Sequence, residues 1–390
     1  MRDEVEILIV GGGHAGLFLG AALAATGWAV AVIDPEPPKH IRERSSDGRT
    51  LALLRGSEDI ARALGVWPWV RGVASPIREV LVQDSPSAGS VRYQPPADGR
   101  PLGWGAENRA LRAVLLDAFL AAADEGALLQ GKVAALERAS GQQSARLEDG
   151  RRLGVRLVIG ADGRGSGVRR LAGIGLESWS YDQTALTLVI AHERPHGDTV
   201  RERLRPGGPL ALLPLAGRRS GVTWVETTEA AARLAALAAP DLMAVLTEEL
   251  GGVLGAIRAD SPVAAYPLSA QHARRYVAPR VALVGDAAHG VHPIHAQGFN
   301  MGIADIGALA ELLRTTRRRG FDPGAADLLL AYERARWWAN ERKLRLTDGL
   351  NRLFSTDFPP ARLAGAAALQ ALELVPPLKR LAVAQGMGGG

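Results

Sequence analysis

Three glycine-bearing stretches contain most of the residues whose types and spacing could support chemistry. The first covers residues 11–16, fits the spacing GxGxxG, and stands between an apolar run and a helix-like segment. In such a strand, turn and helix, Gly11 permits the tight turn, Gly13 lets the backbone approach a pyrophosphate, and Gly16 lets the helix pack on the strand. The spacing therefore predicts a turn that binds a dinucleotide.

The strand that follows the first helix supports this prediction. Residues 28–33 are apolar and end in Asp34, about twenty residues beyond the turn, where a carboxylate can accept hydrogen bonds from both hydroxyls of an adenosine ribose. A 2′-phosphate would be repelled there. His14 and Ala15 complete the predicted binding turn. An ordinary glycine-rich turn is the alternative, and this stretch alone leaves the choice between NAD and FAD open.

The second stretch follows another strand-like run, residues 157–159. Asp162 stands at the carboxyl end of that run, where ligands of open α/β sheets bind, and Arg169 offers a fork of donors suited to a phosphate. We include both residues in the predicted site, with a purely structural turn as an equal alternative.

The third stretch is the most specific. Residues 281–284 form a strand candidate that runs into Gly285 and Asp286, and apolar residues recur at helical spacing from Asn300 onward. Backbone amides at the start of a helix attract negative charge because they have no partner within the helix. The predicted cofactor-binding residues in this stretch are Gly285, Asp286, Pro293, Gly298, Phe299, Asn300 and Met301.

Three histidines fall in the same stretch, His289, His292 and His295. A metal site is disfavoured, because Pro293 interrupts their geometry and no carboxylate or cysteine stands at ligand spacing. We expect His289 to serve packing or the turn. We assign His295, together with Pro293, to the reaction centre.

The remaining residues must position these stretches. A chain of 390 residues usually divides into two or more domains, which doubly wound folds often interleave. Residues 76–101 and 176–263 read as sheet-rich, the Glu107–Asn108 pair precedes a helical pattern, and residues 230–250 predict helices that cover one face of a sheet. Trp224 belongs either to a pocket or to the core. The strand candidates of the second sheet-rich region are residues 185–191, 210–215 and 222–225.

Composition excludes several classes of function. The chain has no cysteine, which removes disulfides, thiolate metal sites, iron–sulfur clusters and cysteine nucleophiles. Its net charge of +5 comes mostly from scattered arginines, without a basic stripe that would bind nucleic acid. No apolar run approaches the ~18 residues of a membrane-spanning helix, and we see no secretory signal. We therefore expect a protein of the cytoplasm.

Taken together, the segments GGGHAG, GADGRGSGVR and GDAAHGVHPIHAQGFN resemble one family, the single-component FAD-dependent aromatic hydroxylases. Its p-hydroxybenzoate hydroxylase fold carries a glycine turn, a DG motif and a GD motif in this order. Within the family, the chain looks like the ubiquinone-biosynthesis hydroxylases, through RTLALLRGS, Glu107–Asn108, HPI…QGFN and TDGLNRLFS. The resemblance covers nearly the whole chain and specifies FAD.

The resemblance implies an α/β fold in which a GxGxxG Rossmann-like FAD-binding domain is interleaved with a mixed or antiparallel-sheet substrate domain and followed by C-terminal helices. The implied FAD-binding domain comprises residues 1–72, 100–175 and 276–326, the substrate-binding sheet domain residues 73–99 and 176–275, and the C-terminal helical region residues 327–390.

Roles can also be carried over by position. The glycines of the first turn would approach the FAD pyrophosphate, and the DG motif would serve both FAD and NAD(P)H. The other implied contacts are Asp34 with the ribose, Arg49 and Asn108 with the cofactor, Asp286 with the ribityl or pyrophosphate region, and Pro293 and residues 298–300 with the isoalloxazine. One departure stands out: the family has Ala-Gly where this chain has His295 and Ala296.

The implied activity is hydroxylation of an aromatic ring through a C4a-hydroperoxyflavin, with O2 as co-substrate and NAD(P)H as a transient reductant. The implied substrate is a prenylated, lipid-tailed phenol of ubiquinone biosynthesis. The alternatives are hydroxylation of another apolar aromatic, another enzyme on the same fold such as a halogenase or prenyl reductase, and a non-catalytic flavoprotein of a lipid-synthesis assembly. The apolar, basic tail suits either peripheral contact with the inner membrane face or a biosynthetic complex, or packing on the core.

Overall fold

The computed structural model describes residues 4–43, 45–84, 89–95, 98–139, 142–356, 359–375 and 377. Along the chain, the strands are β1 (Glu4–Val10), β2 (Val30–Asp34), β3 (Thr50–Leu54), β4 (Ser75–Ile77), β5 (Glu79–Asp84), β6 (Ser90–Tyr93), β7 (Gly103–Glu107), β8 (Leu128–Gln130), β9 (Val133–Ala139), β10 (Gln142–Leu147), β11 (Arg152–Gly160), β12 (Leu176–His192), β13 (Thr199–Leu204), β14 (Leu210–Leu215), β15 (Arg219–Thr227), β16 (Ile257–Ala259), β17 (Ala264–Ala273), β18 (Val277–Ala278), β19 (Val281–Leu283) and β20 (His289–Gly290). The helices are α1 (His14–Ala24), α2 (Pro38–Ile41), α3 (Arg55–Ala63), α4 (Trp67–Arg71), α5 (Asn108–Ala122), α6 (Gly167–Leu171), α7 (Thr228–Ala235), α8 (Ala239–Glu249), α9 (Gln297–Arg319), α10 (Ala326–Phe354) and α11 (Pro359–Leu374).

An eight-stranded sheet brings the three glycine-bearing stretches together. Its order is β18-β19-β11-β1-β2-β8, with β10 and β9 attached beyond β11. Strands β2, β1, β11 and β19 run parallel, so their carboxyl ends meet at one edge. The last four residues of β1 are buried, as expected for a strand covered on both faces.

A nine-stranded sheet forms the second layer, in the order β20-β17-β12-β15-β14-β13-β5-β6 with β16 beside β12. One face packs on α7 and α8 through an apolar cluster that contains Leu186, Leu212 and Trp224. Trp224 is therefore a core residue.

The opposite face of this sheet, here called the inner face, lies against the three-stranded sheet β3-β7-β4. A Cβ placed on Gly221 would lie 2.3 Å from the Thr50 hydroxyl, and one on Gly105 would lie 3.1 Å from the Leu213 side chain. The inner face therefore packs against β3 and β7 of the three-stranded sheet.

The C-terminal region is helical through Leu374, as predicted, with α10 packed on α9, and α11 packed on α10 and β6. Residues 378–390 and the Leu363 side chain lie outside the described residues. Within the described ranges, no helix has both the length and the apolar character needed to cross a membrane.

Most predicted elements are confirmed, including the helices within residues 230–250 and the strand at residues 210–215. Two helix starts were wrong. α1 begins at His14, within the glycine-bearing stretch of residues 11–16 and not after it, and α9 begins at Gln297 rather than Asn300. The division into domains stays a prediction, although β4, assigned there to the substrate sheet, pairs with β7 instead.

Candidate functional site

The glycine turn, residues 11–16, packs against the DG turn, residues 160–169. Gly11 has φ +111°, and a Cβ there would lie 2.3 Å from the carbonyl oxygen of Ala161, so only glycine fits. Gly16 is equally constrained, because its Cβ would lie 1.8 Å from the Gly11 carbonyl oxygen. Gly13 differs, since a Cβ there would meet nothing within 4 Å. The protein leaves open the space beside Gly13 where the pattern predicts a pyrophosphate.

Helix α1 begins directly at this space. Its N-cap residue is Gly13, no side chain caps it, and no acidic residue lies in its first turn. The free amides and the helix dipole therefore favour an anion there.

His14 and Ala15 occupy the first two positions of α1. Nε2 of His14 lies 2.9 Å from the carbonyl oxygen of Asn108, and because a carbonyl only accepts, Nε2 carries the proton. Burial, with a smaller effect of the Arg112 and Arg49 cations, lowers the pKa of His14 to about 4 against the opposing effect of the hydrogen bond to Asn108. The imidazole, neutral at physiological pH, also meets the Phe299 ring edge-on at 5.8 Å.

Asp34 closes the turn from the side of β2. One of its oxygens accepts a hydrogen bond from the Gly12 amide at 2.6 Å, and the other accepts one from the Glu36 amide at 2.8 Å. Each carboxylate oxygen retains a lone pair for a further donor, as ribose binding would require. Arg112 lies 3.5 Å from Asp34 and donates to the carbonyl oxygen of Gly12.

The sequence pattern missed Arg112, although a signal was present. The residue stands four positions after Asn108 on α5, so both lie on one helical face directed at the glycine turn. Arg112 also forms an ion pair with Glu36.

Asn108 links α5 to the Asp47–Arg49 loop. Its side-chain amide donates to Asp47 at 3.0 Å, and its backbone amide donates to the carbonyl oxygen of Arg49. The Arg49 guanidinium pairs with Asp47 at 2.7 Å and lies over the Tyr266 ring. The Arg49 side chain remains about half exposed, and can therefore still meet a ligand.

The DG turn is held by its own side chains. Asp162 accepts hydrogen bonds from the Ser166 hydroxyl and from the amides of Gly167 and Val168. Arg169 is 4% exposed and donates to the carbonyl oxygens of Ala287 and Arg164. This geometry gives Arg169 a role in joining the DG and GD turns, while its contact with a reductant stays a prediction.

The GD turn, which contains Gly285 and Asp286, lies between the starts of α1 and α9. Gly285 has φ +58°, and a Cβ there would lie 3.5 Å from the Cβ of Ala15 and 3.9 Å from the Cα of Gly302. The Asp286 side chain is accessible, yet the surrounding protein limits its hydration and raises its pKa, against the opposing effect of Arg164 and His289. Asp286 is therefore an acceptor presented to the space between the two helix starts.

A buried polar network centred on Asp305 holds the GD turn in place. Asp305, fully buried, accepts hydrogen bonds from the Gly285 amide and from His289, Arg336 and Asn340. Burial would raise the pKa of Asp305, but His289 and Arg336 outweigh it and hold that pKa below its usual value. His289 thus serves the turn, as expected, and α10 takes part in positioning it.

The residues that follow form a tight turn into α9. His292 is buried, accepts a hydrogen bond from the Ile294 amide, and lies 3.2 Å from the Gln183 oxygen. Pro293 caps a 3-10 turn at Ile294–Ala296. Ala296 then adopts a left-handed conformation, with φ +52° and ψ +34°, immediately before α9. The side chain of His295, assigned to the reaction centre, lies outside the described residues.

The start of α9 offers backbone rather than side-chain groups. No side chain caps it, so the amides of Gly298 and Phe299 have no partner within the helix, whereas those of Asn300 and Met301 bond to carbonyl groups of the helix. The Asn300 side chain accepts from Leu54 and Ser57 and donates to the carbonyl oxygens of Ala52 and Ala296, which satisfies it completely. Of the predicted cofactor-binding residues, Gly298 and Phe299 therefore present free amides, whereas Asn300 and Met301 do not, and the Met301 side chain is buried core.

The assembled cleft has two uncapped helix starts, an open glycine face, and accessible Asp286 at its centre. Such a cleft can hold an extended anionic ligand with polyol character, because amides bind its phosphates and a carboxylate accepts from its hydroxyls. Among the described residues, no cluster of histidine and carboxylate groups has the arrangement of a metal site.

Comparison with known proteins identifies the class of protein. A family model described as an FAD binding domain matches residues 4–345. The chain belongs to this FAD-binding family, and FAD is its cofactor, as the resemblance implied.

Individual relatives extend this result. The chain is 41% identical over 387 residues to the ubiquinone hydroxylase UbiL of Rhodospirillum rubrum, covering 99% of this chain and 90% of that protein. It is 33% identical over 391 residues to the 3-demethoxyubiquinol 3-hydroxylase of Escherichia coli, covering 99% of each. The solved structure of p-nitrophenol 4-monooxygenase PnpA from Pseudomonas putida matches with a TM-score of 0.80 at 16% identity, over 100% of this chain and 99% of that chain. The resemblance to FAD-dependent hydroxylases and the α/β fold are therefore confirmed.

Proposed function

We propose that this protein is an FAD-dependent monooxygenase that hydroxylates the aromatic ring of a prenylated phenol in ubiquinone biosynthesis. The observation that carries the proposal is the convergence of two uncapped helix starts and Asp286 on one cleft, in a chain with 41% identity to a ubiquinone hydroxylase. NAD(P)H is the proposed reductant and O2 the second substrate.

The residues of the cleft fit FAD. The open face of Gly13 and the free amides of α1 suit the pyrophosphate, and the spare lone pairs of Asp34 suit the ribose hydroxyls. Asp286 suits the ribityl or pyrophosphate region. When bound, FAD supplies the redox chemistry, taking electrons from NAD(P)H and activating O2 for transfer of one oxygen atom to the ring.

The chain's own contribution is charge stabilisation and exclusion of water. The amides of Gly298 and Phe299 stabilise negative charge at the start of α9 without reorganisation. Apolar side chains surround the adjoining 3-10 turn, where Ala296 packs near Ala52 and Leu213. Low polarity there strengthens each electrostatic contact and keeps water from the reacting atoms.

Two measurements test the proposal. Purified protein should show flavin absorbance and oxidise NAD(P)H faster when a phenol is added, and Asp286→Ala should lose most of the flavin because an acceptor is removed. Glu248→Ala, on the exposed side of α8, is the matched control and should retain flavin. Folded wild-type protein that cannot be loaded with FAD would end this interpretation.

The substrate is tested by genetic rescue. The gene would be expressed in bacterial strains that each lack one ubiquinone ring hydroxylase, with the quinone and its precursors measured. Rescue of one strain would name the ring position. Failure in all of them, with NAD(P)H oxidation stimulated by an unrelated phenol, would assign the protein to another apolar aromatic.

The proposal includes contact with a membrane surface through α10. Its outer face exposes Trp338 and Leu346, at 65% and 55%, beside the exposed cations Arg334 and Arg342. Exposed large apolar groups among arginines suit an anionic lipid interface.

Liposome sedimentation tests this contact. The intact protein should bind vesicles that contain anionic lipid, Trp338→Ala should bind less, and a protein truncated before Leu363 shows how much the tail adds. Leu237→Ala, which removes an exposed leucine elsewhere, should bind as wild type. Negligible binding by all four would remove the idea.

A further inference from the structure

Five rings in mutual contact form a series that runs from the GD turn to the surface of α10. In outward order, they belong to His289, Tyr276, His272, Trp337 and Trp338. Their successive centroids lie 6.0, 5.5, 4.8 and 4.7 Å apart, and aromatic rings in contact lie about 4.5–7 Å apart. His289 lies close enough to Asp286 to lower the pKa of that carboxyl, against the effect of burial, whereas Trp338 is exposed. This set, here called the ring series, links the cofactor cleft with the surface.

The hydroxyl of Tyr276 is paired with a base. Nδ1 of His272 lies 2.8 Å from the Glu341 carboxylate, which only accepts, so Nδ1 carries the proton. Burial lowers the pKa of His272, so the ring is neutral at physiological pH and its Nε2 is an acceptor. The Tyr276 hydroxyl, 2.8 Å from Nε2, is therefore the donor in this hydrogen bond. A phenol, an imidazole and a carboxylate thus stand in series along which a proton can move.

This triad is closed to substrates. The Tyr276 and His272 side chains are both buried, so no small molecule reaches either of them. Burial also raises the pKa of Tyr276 well above its usual value, which keeps the phenol protonated at physiological pH. A phenol gives up such a proton when it also loses an electron, and an electron reaches a buried ring without a contact.

We propose that the ring series carries oxidising equivalents from the cofactor cleft to the surface, which protects the cleft when O2 is activated without an aromatic ring to accept the oxygen. The inference goes beyond the proposed function and rests on it only for the activation of O2. Its inner end is Tyr276 with His289 beside it, and its outer end is Trp338.

The electrons and protons of this transfer balance. An oxygen radical of the hydroxyl class takes one electron from Tyr276 and becomes hydroxide, while the phenol proton passes to Nε2 of His272. One electron from Trp337, replaced in turn by one from Trp338, reduces Tyr276 again, and the proton returns from Nε2. Trp338 releases its indole proton to solvent, which neutralises the hydroxide to water. A thiol in solution then gives one hydrogen atom to Trp338 and restores it.

The chain offers few other sinks for an oxidant in the cleft. It has no cysteine and only four methionines, and one of these, Met301, is buried near the start of α9. Oxidation of Met301 to its sulfoxide would place a polar group in packed apolar core. An exposed tryptophan, by contrast, is accessible to a reductant in solution and can be restored repeatedly.

The experiment uses the FAD-loaded protein under blue light without O2, where photoexcited FAD is the one-electron oxidant and no hydroxylation is required. Electron paramagnetic resonance of samples frozen during illumination detects tyrosyl and tryptophanyl radicals. Flavin absorbance follows photoreduction with ascorbate as the external reductant. Wild type should show both radicals, and growth with ring-deuterated tyrosine identifies the tyrosyl signal without any substitution.

Two variants separate a redox role from a structural one. Tyr276→Phe should lose the tyrosyl signal and slow photoreduction several-fold, because the rings on either side of it are then joined by a phenyl ring that is much harder to oxidise. In His272→Gln, the amide can still accept from Tyr276 and donate to Glu341, but it cannot take up a proton. This variant should therefore unfold at the same urea concentration as wild type and lose the tyrosyl signal.

Tyr332→Phe is the matched control. Tyr332 is as fully buried as Tyr276 and lies beside it, with ring centroids 6.4 Å apart. Its hydroxyl donates to the carbonyl oxygen of Leu283, which is not a base that could take up the proton. Removing this hydroxyl should change neither the radical signals nor the rate of photoreduction.

A second measurement follows damage to the protein in air. During NAD(P)H oxidation without a phenol, with catalase present to remove released peroxide, Tyr276→Phe should accumulate Met301 sulfoxide several-fold faster than wild type and Tyr332→Phe. Mass spectrometry of peptides measures this difference.

The outcomes separate the two proposals. If wild type forms neither radical under light, or if Tyr276→Phe or His272→Gln matches wild type in both readouts, the inference is overturned, whatever the protein hydroxylates. If wild type forms the radicals but oxidises NAD(P)H no faster when a phenol is added, the ring series stands and the proposed function is overturned.

Discussion

Ala296 holds a backbone conformation that favours glycine, the residue that the family resemblance implies at this position. Its φ of +52° and ψ of +34° place it in the left-handed region, which costs a residue with a Cβ about 1–2 kcal/mol. Ala296→Gly would relieve that strain. Two effects oppose the gain: glycine is freer in the unfolded chain, by about 0.4–1 kcal/mol, and the half-buried methyl group contributes about 0.4 kcal/mol. The expected net change in unfolding free energy runs from about −0.4 to +1.2 kcal/mol, centred above zero.

The control is Ala331→Gly on the exposed face of α10, where alanine has helical backbone geometry and the same exchange should cost about 1 kcal/mol. Urea unfolding of the apoprotein would give both midpoints at equal slope, and the two variants should differ by about 1–2 kcal/mol. Equal destabilisation by both would show that Ala296 is not strained and would refute the reasoning.

Three further predictions follow from the cleft. Gly13→Ala should keep the unfolding free energy within about 1 kcal/mol of wild type yet reduce FAD retention. Gly16→Ala should destabilise the apoprotein itself, because its Cβ would lie 1.8 Å from a carbonyl oxygen. Flavin content and urea unfolding midpoints distinguish the two variants. Asp305→Asn should cost about 3–5 kcal/mol, because the buried Arg336 loses its carboxylate, and equal urea midpoints for variant and wild type would contradict this. His14 has a folded pKa of about 4, below its unfolded value of 6.5, so the unfolded chain takes up its proton first and stability is lost as pH falls between these values. The apoprotein of His14→Gln should therefore lose less stability than wild type over that pH range in urea unfolding.

The elements that sequence predicted well are those whose signal is local. Unbroken apolar runs gave β1 and β14, because strands buried on both faces need apolar side chains throughout. The two helices within residues 230–250 were equally clear, since Pro240 lies in the first turn of α8, where a helix accommodates proline.

What the sequence could not provide depends on contacts between distant segments. The start of α9 was placed at Asn300 because apolar periodicity begins there, but the backbone turns helical at Gln297, after the left-handed Ala296. Side-chain periodicity does not report where backbone amides become free. The register across β12, β15, β14 and β13 was invisible for a related reason, since it arises only when the four strands pair.

The pairing of β1 with β11 also affects how the protein is made. Val10 lies opposite Gly160, so about 150 residues must be synthesised after β1 before β11, one of its two neighbours in the sheet, is complete. At about 5–20 residues per second, an apolar segment that begins at Ile7 leaves the ribosome several seconds or more before it can be covered on that side. The cofactor turn closes later still, because β19 and the Gly285 turn follow more than a hundred residues after β11. The nascent chain therefore carries an unpaired, aggregation-prone strand edge while about 150 residues are synthesised, which makes early chaperone engagement a condition of its yield.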